Sequence, residues 1–277
     1  MLSLYDPKSD LPLMQFVGMD FKQGISCYKA WTLWLLGYPD QAVATAEAAV
    51  ALARALSHPF SPSTAEFFLH VIHNLRRDYV AAQEVAERVF AYSTEHGFGL
   101  YLLAAPRYRA WAVIQQGSGD EAEIAQQREG LETSYSVGLN IARSHGLYML
   151  AQSYEKIGQL DYGLSALNEA LVAVDEQTEH WWEPEIWRLR GELLLEKDSS
   201  HLREAQTCFE RALDIARAQR GRSLELRATT SLARLLRDTG RREEAGKQLA
   251  EIYNWFTEGF DTADLKDAKA LLDELSI

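Results

Sequence analysis

The sequence is short of cysteine, of basic residues and of long apolar runs, and each shortage removes a class of answers. Two cysteines in 277 residues, Cys27 and Cys208, are too few for a disulfide framework or a thiolate zinc cluster. Their scarcity suits a reducing cytoplasm. Asp and Glu number 40 against 28 Lys and Arg, a formal net charge of −12. That balance argues against nucleic acid or an anionic membrane as the partner of the chain as a whole, because both are polyanions. No run reaches the roughly 20 apolar residues of a membrane span. The start, MLSLYDPKSD, lacks the basic stretch and apolar core of a signal peptide.

Catalytic signatures are missing too. Seven histidines are scattered, and no serine or cysteine stands in a nucleophile motif, so no catalytic residue and no enzymatic activity is expected. GSGDE (117–121) is too short and lacks the lysine of a phosphate-binding loop, so no nucleotide cofactor is expected. Glu66, His70 and His73 share one helical side but lack a third strong ligand, so no metal is expected. The basic run from Arg211 to Arg242 is interleaved with Glu210, Asp214, Glu225, Asp238, Glu243 and Glu244, as on a solvated helix face. No Gly/Ser-rich linker interrupts 1–277, so a single domain is expected.

What the chain has in abundance is a spaced pattern of small and large residues. In 144–176, SHGLYMLAQSYEKIGQLDYGLSALNEALVAVDE, Ala151, Tyr154 and Gly158 are followed by Gly163, Leu167, Ala170 and Leu171. Small residues let two helix backbones approach, large ones fill the groove between them, and Gly158 ends the first helix. The frame recurs upstream at Ala30, Leu33, Gly37, Ala42, Ala46, Ala49 and Val50, and downstream at Ala233, Leu236, Gly240, Ala245 and Leu249. Turn positions 37, 77, 117 and 158 are 40, 40 and 41 residues apart, the regular interval of a solenoid. The fold expected is all-α. Six helix pairs cover 21–57, 61–97, 100–137, 139–177, 181–221 and 223–257, after an irregular segment at 1–20. Ser61 is expected to cap a helix with Pro62 in its first turn, and DSSHLRE (198–204) to lengthen one turn by about two residues. At the end, 262–277 reads as a capping helix started by Thr262, with Leu265, Ala268, Leu271, Leu272 and Leu275 in one apolar stripe.

These residues resemble the tetratricopeptide repeat, whose usual length of about 34 residues implies that each helix here is about a turn longer. Armadillo and HEAT repeats are closer in length but lack the paired small residues and turn glycine, and rank second. More finely, LWLLGYPDQA (33–42), EHWWEPEIWRLRGELLL (179–195), SLELRATTSLARLLRDTGRREEA (223–245) and WFTEGFDTADLKDAKALLDEL (255–275) resemble the C-terminal tetratricopeptide region of bacterial adenylate/guanylate cyclase–predicted ATPase signalling proteins. The resemblance implies a right-handed superhelix and a cytoplasmic scaffold or sensor role. It carries over neither cyclase nor ATPase activity.

In such arrays the first helix of each pair lines the concave face. The resemblance then places Trp31, Trp34, Phe67, Asn74, Arg107, Trp111, Tyr148, Gln152, Arg188, Glu192, Arg227 and Arg234 in a groove, with Cys27, Val71, Ile114, His145, Glu155, Glu185, Thr230 and Arg237 beside them. Aromatic anchors and planar Arg forks are what a peptide groove needs. Trp181, Trp182 and Trp187 read as packing at the joint before the fifth pair. The expected function is a non-catalytic protein–protein interaction scaffold for a peptide or helix of a partner, in bacterial signalling. The alternative is a small-molecule-sensing domain controlling an attached or partner ATPase or cyclase, in view of a likeness to the sensor region of the maltose-regulon activator. Self-association through an exposed first repeat is compatible with either.

Overall fold

In the computed structural model the described residues are 20–56, 58–138 and 142–276. The expected segment 1–20 lies outside them except for Asp20, whose carboxylate accepts from the Gln23 amide at 2.7 Å and caps the first helix. Among the described residues the fold is thirteen α-helices without a strand. Twelve form six sequential pairs: α1 (Phe21–Leu35) with α2 (Pro39–Ala55), α3 (Phe60–Leu75) with α4 (Tyr79–His96), and α5 (Gly99–Gln115) with α6 (Glu121–Ser136). Then come α7 (Arg143–Lys156) with α8 (Leu160–Gln177), α9 (Glu183–Lys197) with α10 (Leu202–Ala218), and α11 (Arg222–Asp238) with α12 (Arg242–Tyr253). The cap is α13 (Ala263–Leu275).

The turns explain why the period is so regular. At the end of α1 the Tyr38 amide donates to Leu33 O and the Gly37 amide to Trp34 O, with Gly37 at φ +94°, which satisfies the last carbonyls of the helix. The same two bonds close the turns at 77, 117, 158 and 240. Four of these five turns carry glycine; the fifth carries Arg77, held at φ +63°. The small residues then do what their spacing implies: Ala42, Ala46 and Ala49 of α2, and Ala166, Ala170 and Ala173 of α8, are buried.

Two local readings are corrected. Ser61 does not cap: α3 begins one residue earlier at Phe60, and the Ser61 hydroxyl lies 3.2 Å from His58 Nδ1. Thr262 occupies the N-cap position of α13, yet its hydroxyl donates to Gly259 O at 2.6 Å and so leaves the helix amides alone. The turn after α9 holds a short 3-10 helix, Ser199–His201, and Asp198 accepts from the Ser200 amide at 2.8 Å.

The first repeat is not exposed as expected, because the solenoid closes on itself. Ser223 Oγ donates to Trp34 O at 2.5 Å, across 189 positions of sequence. α2 lacks a side-chain cap from its own flank. Glu258 supplies one, its Oε1 accepting from the Asp40 and Gln41 amides at 3.0 Å each. Asp40 returns the contact: its Oδ2 accepts from the Gly259 amide at 2.8 Å. Glu258 thus caps α2 from across the seam. Gly259 sits at φ +77°, and a Cβ there would lie 2.2 Å from Pro39 Cγ, so only glycine permits this approach. The end of α1 and the start of α2 are covered by this seam, while Tyr28 of the same repeat stays exposed.

Candidate functional site: a polar central cavity

The inner helices α3, α5, α7, α9 and α11, with α13, enclose a cavity of about 230 Å3. Its floor is a buried charge network. Glu185, fully buried, accepts from Arg188 Nε at 2.7 Å, from Arg227 Nη1 at 3.2 Å and from the Tyr148 hydroxyl at 3.0 Å. Burial alone would raise the Glu185 pKa; the Arg188 and Arg227 charges overcome it and hold the carboxyl down to about 2. Arg188 also reaches Glu192 Oε2 at 2.5 Å, and the Ser231 hydroxyl donates to Glu192 Oε1 at 2.7 Å. Arg227 is the junction: it pairs with Asp264 at 2.8 Å, donates to Leu75 O at 2.5 Å and lies 4.9 Å over the Trp34 ring. It therefore ties the cavity wall to the cap, to the end of α3 and to α1.

Of the twelve groove residues expected, Asn74, Trp111, Tyr148, Gln152, Arg188, Glu192, Arg227 and Arg234 line this cavity, and Trp31, Trp34, Phe67 and Arg107 do not. For the two tryptophans the reason is the closure; Phe67 and Arg107 are drawn into packing between neighbouring repeats. Trp34 turns into the seam, 6.1 Å from Trp182, and Trp31 stacks edge-on against Trp181 at 4.5 Å. Phe67 packs between Tyr101 and Tyr108, at 5.5 and 5.3 Å. Arg107 lies over the Tyr108 ring at 4.8 Å. Cys27, Val71 and Ile114 are core residues. Trp181 and Trp182 pack as expected, but across the ring: Trp182 meets His145 and Tyr148 of α7 on one side and Trp34 of α1 on the other. Lining residues that sequence reasoning missed are Arg77, Tyr79, Gln115, Ser231, Asp264 and Asp267. A signal existed at Arg77, an arginine where four other repeats end a helix with glycine.

Five buried polar atoms of lining residues have no partner within the described protein: Trp111 Nε1, Trp182 Nε1, Gln115 Nε2, Asn74 Oδ1 and Gln152 Oε1. The orientation of Asn74 follows from its neighbour. His70 Nδ1 is 2.7 Å from Ala82 O and must donate to it, so Nε2 accepts from Asn74 Nδ2, also at 2.7 Å. That leaves the Asn74 carbonyl for the cavity. Burial pushes the His70 pKa down to about 4, keeping the ring neutral. Both its nitrogens are occupied, and Glu66 is gripped by Arg54 at 2.6 Å and Arg88 at 3.1 Å. The basic run is likewise engaged at Arg217 and Arg222, both on Glu225, and at Arg237 on Glu274.

Glu155 sits on the cavity wall, where burial and the nearby Glu192 charge raise its pKa to about 7. A raised carboxyl adds stability that is complete below the unfolded value of about 4.3 and is lost as pH climbs through about 7. Glu155→Gln is therefore expected to raise Tm at pH 8 and to leave it unchanged at pH 4, measured by calorimetry. An equal shift at both pH values would refute this reading of the cavity wall.

No protein-family model matches the chain, and no curated protein does. Solved structures do. The crystal structure of NprR in complex with its cognate peptide NprX is 13% identical, with a TM-score of 0.62 over 93% of this chain and 72% of that one. The apo form of RapI is 13% identical, with a TM-score of 0.52 over 92% and 70%. A signal transduction ATPase with a tetratricopeptide repeat sensor, from Pyrococcus horikoshii, is 12% identical with a TM-score of 0.52; 91% of this chain matches 38% of that protein. Identities this low speak for fold alone. Paired helices, the repeated turn and these likenesses agree: this chain is a tetratricopeptide-type repeat solenoid.

Proposed function

We propose that this chain is a non-catalytic interaction scaffold, acting as one unit in bacterial cytoplasmic signalling, and that its central cavity holds a short peptide segment of a partner protein. The observation that carries the reading is the unspent hydrogen-bonding capacity of the wall. Buried polar groups are normally paired, and here Trp111, Trp182, Gln115, Asn74 and Gln152, all lining residues of one cavity, each keep a buried polar atom without a partner among the described residues. A peptide backbone offers both complements. Arg234 lines the same cavity without an ion-pair partner among the described residues, which favours a segment bearing a carboxylate. NprR, which shares the fold, is seen with a bound peptide.

Trp111 and Arg188 are poor test positions, because both are embedded in the fold. Arg234 and Gln152 are better, being only partly buried. With the full chain immobilised and a random short-peptide library as probe, Arg234→Ala/Gln152→Ala is expected to weaken the selected peptides by about 10–100-fold, as loss of a charged hydrogen bond and a neutral one implies. Unchanged binding by a folded double variant sinks the proposal.

One observation favours the sensor alternative: about 230 Å3 holds only one or two residues of a peptide at a time, and, being below the roughly 300–1,000 Å3 of most ligand sites, it would take only a compact small molecule. If a small molecule is the ligand, a metabolite library will give a saturable thermal shift, lost in the same double variant.

A further inference from the structure

Two apolar cores meet where the solenoid closes, and α11 contributes to both. One runs from Cys27 to Leu224; the other runs from Ala205 to Leu271 and joins α10, α11, α12 and α13. Between the turn 254–262, α13 and the first two repeats many contacts are polar. Glu258 caps α2, and Asp40 accepts from the Gly259 amide. Arg76 donates to Pro39 O at 2.9 Å and pairs with Asp40 at 3.0 Å and Asp261 at 3.6 Å. Arg77 pairs with Asp267 at 2.6 Å and Asp264 at 3.3 Å. Apolar contact comes from Trp255 and Phe256 near Gly37 and Tyr38, from Gly259 against Pro39, and from Leu224, which shares the first core. Two further hydrogen bonds cross the seam, Ser223 Oγ to Trp34 O and Arg227 Nη2 to Leu75 O.

The same C-terminal unit supplies one wall of the central cavity, through Arg227, Ser231, Arg234, Asp264 and Asp267. Arg77 bears on both facts. It holds a left-handed backbone conformation that glycine takes at the equivalent turns, a strain that persists only where surrounding contacts impose it. Its two aspartate partners are those contacts.

We propose that the sixth repeat and α13 form a lid, clasped shut on the first two repeats by these contacts and able to swing open, releasing Ser223, Leu224 and Arg227 from that side, while α7 and α8 stay folded. Opening removes one wall of the cavity and exposes its orphaned polar groups, so the clasp sets access to the site. This purpose rests on the binding role proposed above; the motion does not.

The test is hydrogen exchange by mass spectrometry on the full chain without ligand, in 20 mM and 1 M KCl. The amides of Asp40, Gln41 and Gly259 are direct reporters, because each bonds a carboxylate across the seam. The clasp pairs are partly solvent-exposed, and screening shortens the reach of charge from about 10 Å at 0.1 M to about 3 Å at 1 M salt. Segments 38–42 and 255–262 are expected to exchange about tenfold faster in 1 M KCl while α7 and α8 hold their protection. Arg77→Gly and Glu258→Ala are each expected to reproduce this at low salt; the glycine also relaxes its own turn, so a misfolded turn cannot be the cause. Seam amides that ignore both salt and variants, or that exchange only in step with α7 and α8, overturn the lid. Either result leaves peptide capture by the cavity standing, since no ligand is present; failure of the Arg234→Ala/Gln152→Ala comparison bears on binding alone.

Discussion

Glu185→Ala is expected to cost about 3–5 kcal/mol, the penalty of removing one partner from a buried ion network and stranding the others. Arg188 and Arg227 are nearly buried, and both lose their central carboxylate while Tyr148 loses its acceptor. At about 2–4 °C per kcal/mol for a chain of this size, Tm should fall by roughly 10 °C. The pH profile gives a second reading. A depressed carboxyl contributes stability that is present above the unfolded value of about 4.3 and vanishes as pH falls through about 2. The wild type should therefore lose stability between these limits, and the difference between wild type and Glu185→Ala should shrink there. A variant as stable as wild type at pH 7 would show that the network is not holding α7, α9 and α11 together.

Trp182→Ala should be comparably severe, at about 3–5 kcal/mol for a large side chain removed from a packed interior. Trp182 is 2% exposed and touches four other rings: Trp34, His145, Tyr148 and Trp181. It joins the fourth and fifth repeats to the first, so its loss should do more than leave a cavity. Chemical denaturation should show α1 losing hydrogen-exchange protection well before α7. Trp187→Ala is the control: that ring is only half-buried, lies 4.6 Å from the Arg211 guanidinium, donates to Glu183 Oε1 at 3.2 Å and packs on the second core, and a loss of about 1–2 kcal/mol is expected, well below that of Trp182. Equal losses at Trp182 and Trp187 would refute the assignment of Trp182 to the closure.

How far the site was legible follows from which contacts are local. Asn74, Trp111, Tyr148 and Arg188 line the cavity, and each sits at a fixed offset in the frame of its own repeat. Trp31, Trp34, Phe67 and Arg107 hold equivalent offsets and do not line it. In the first repeat the approaching Trp181 and Trp182 decide where the rings go, and the sequence distance between these partners is far beyond any local pattern. Glu185 was placed among the wall residues, yet its role as a triple acceptor depends on Arg227, 42 positions away.

Helix pairs, turn positions and the cap were set by the sequence alone, because hydrogen bonds four residues apart, a glycine past a helix end and small residues between two neighbouring helices are short-range constraints. The closure of the ring was decided only in three dimensions. Each repeat adds a small rotation to the next, and whether six of them bring Glu258 to the start of α2 depends on the sum. No window of the sequence contains that sum. The cavity, its charge network and the cap that Glu258 gives α2 are consequences of it.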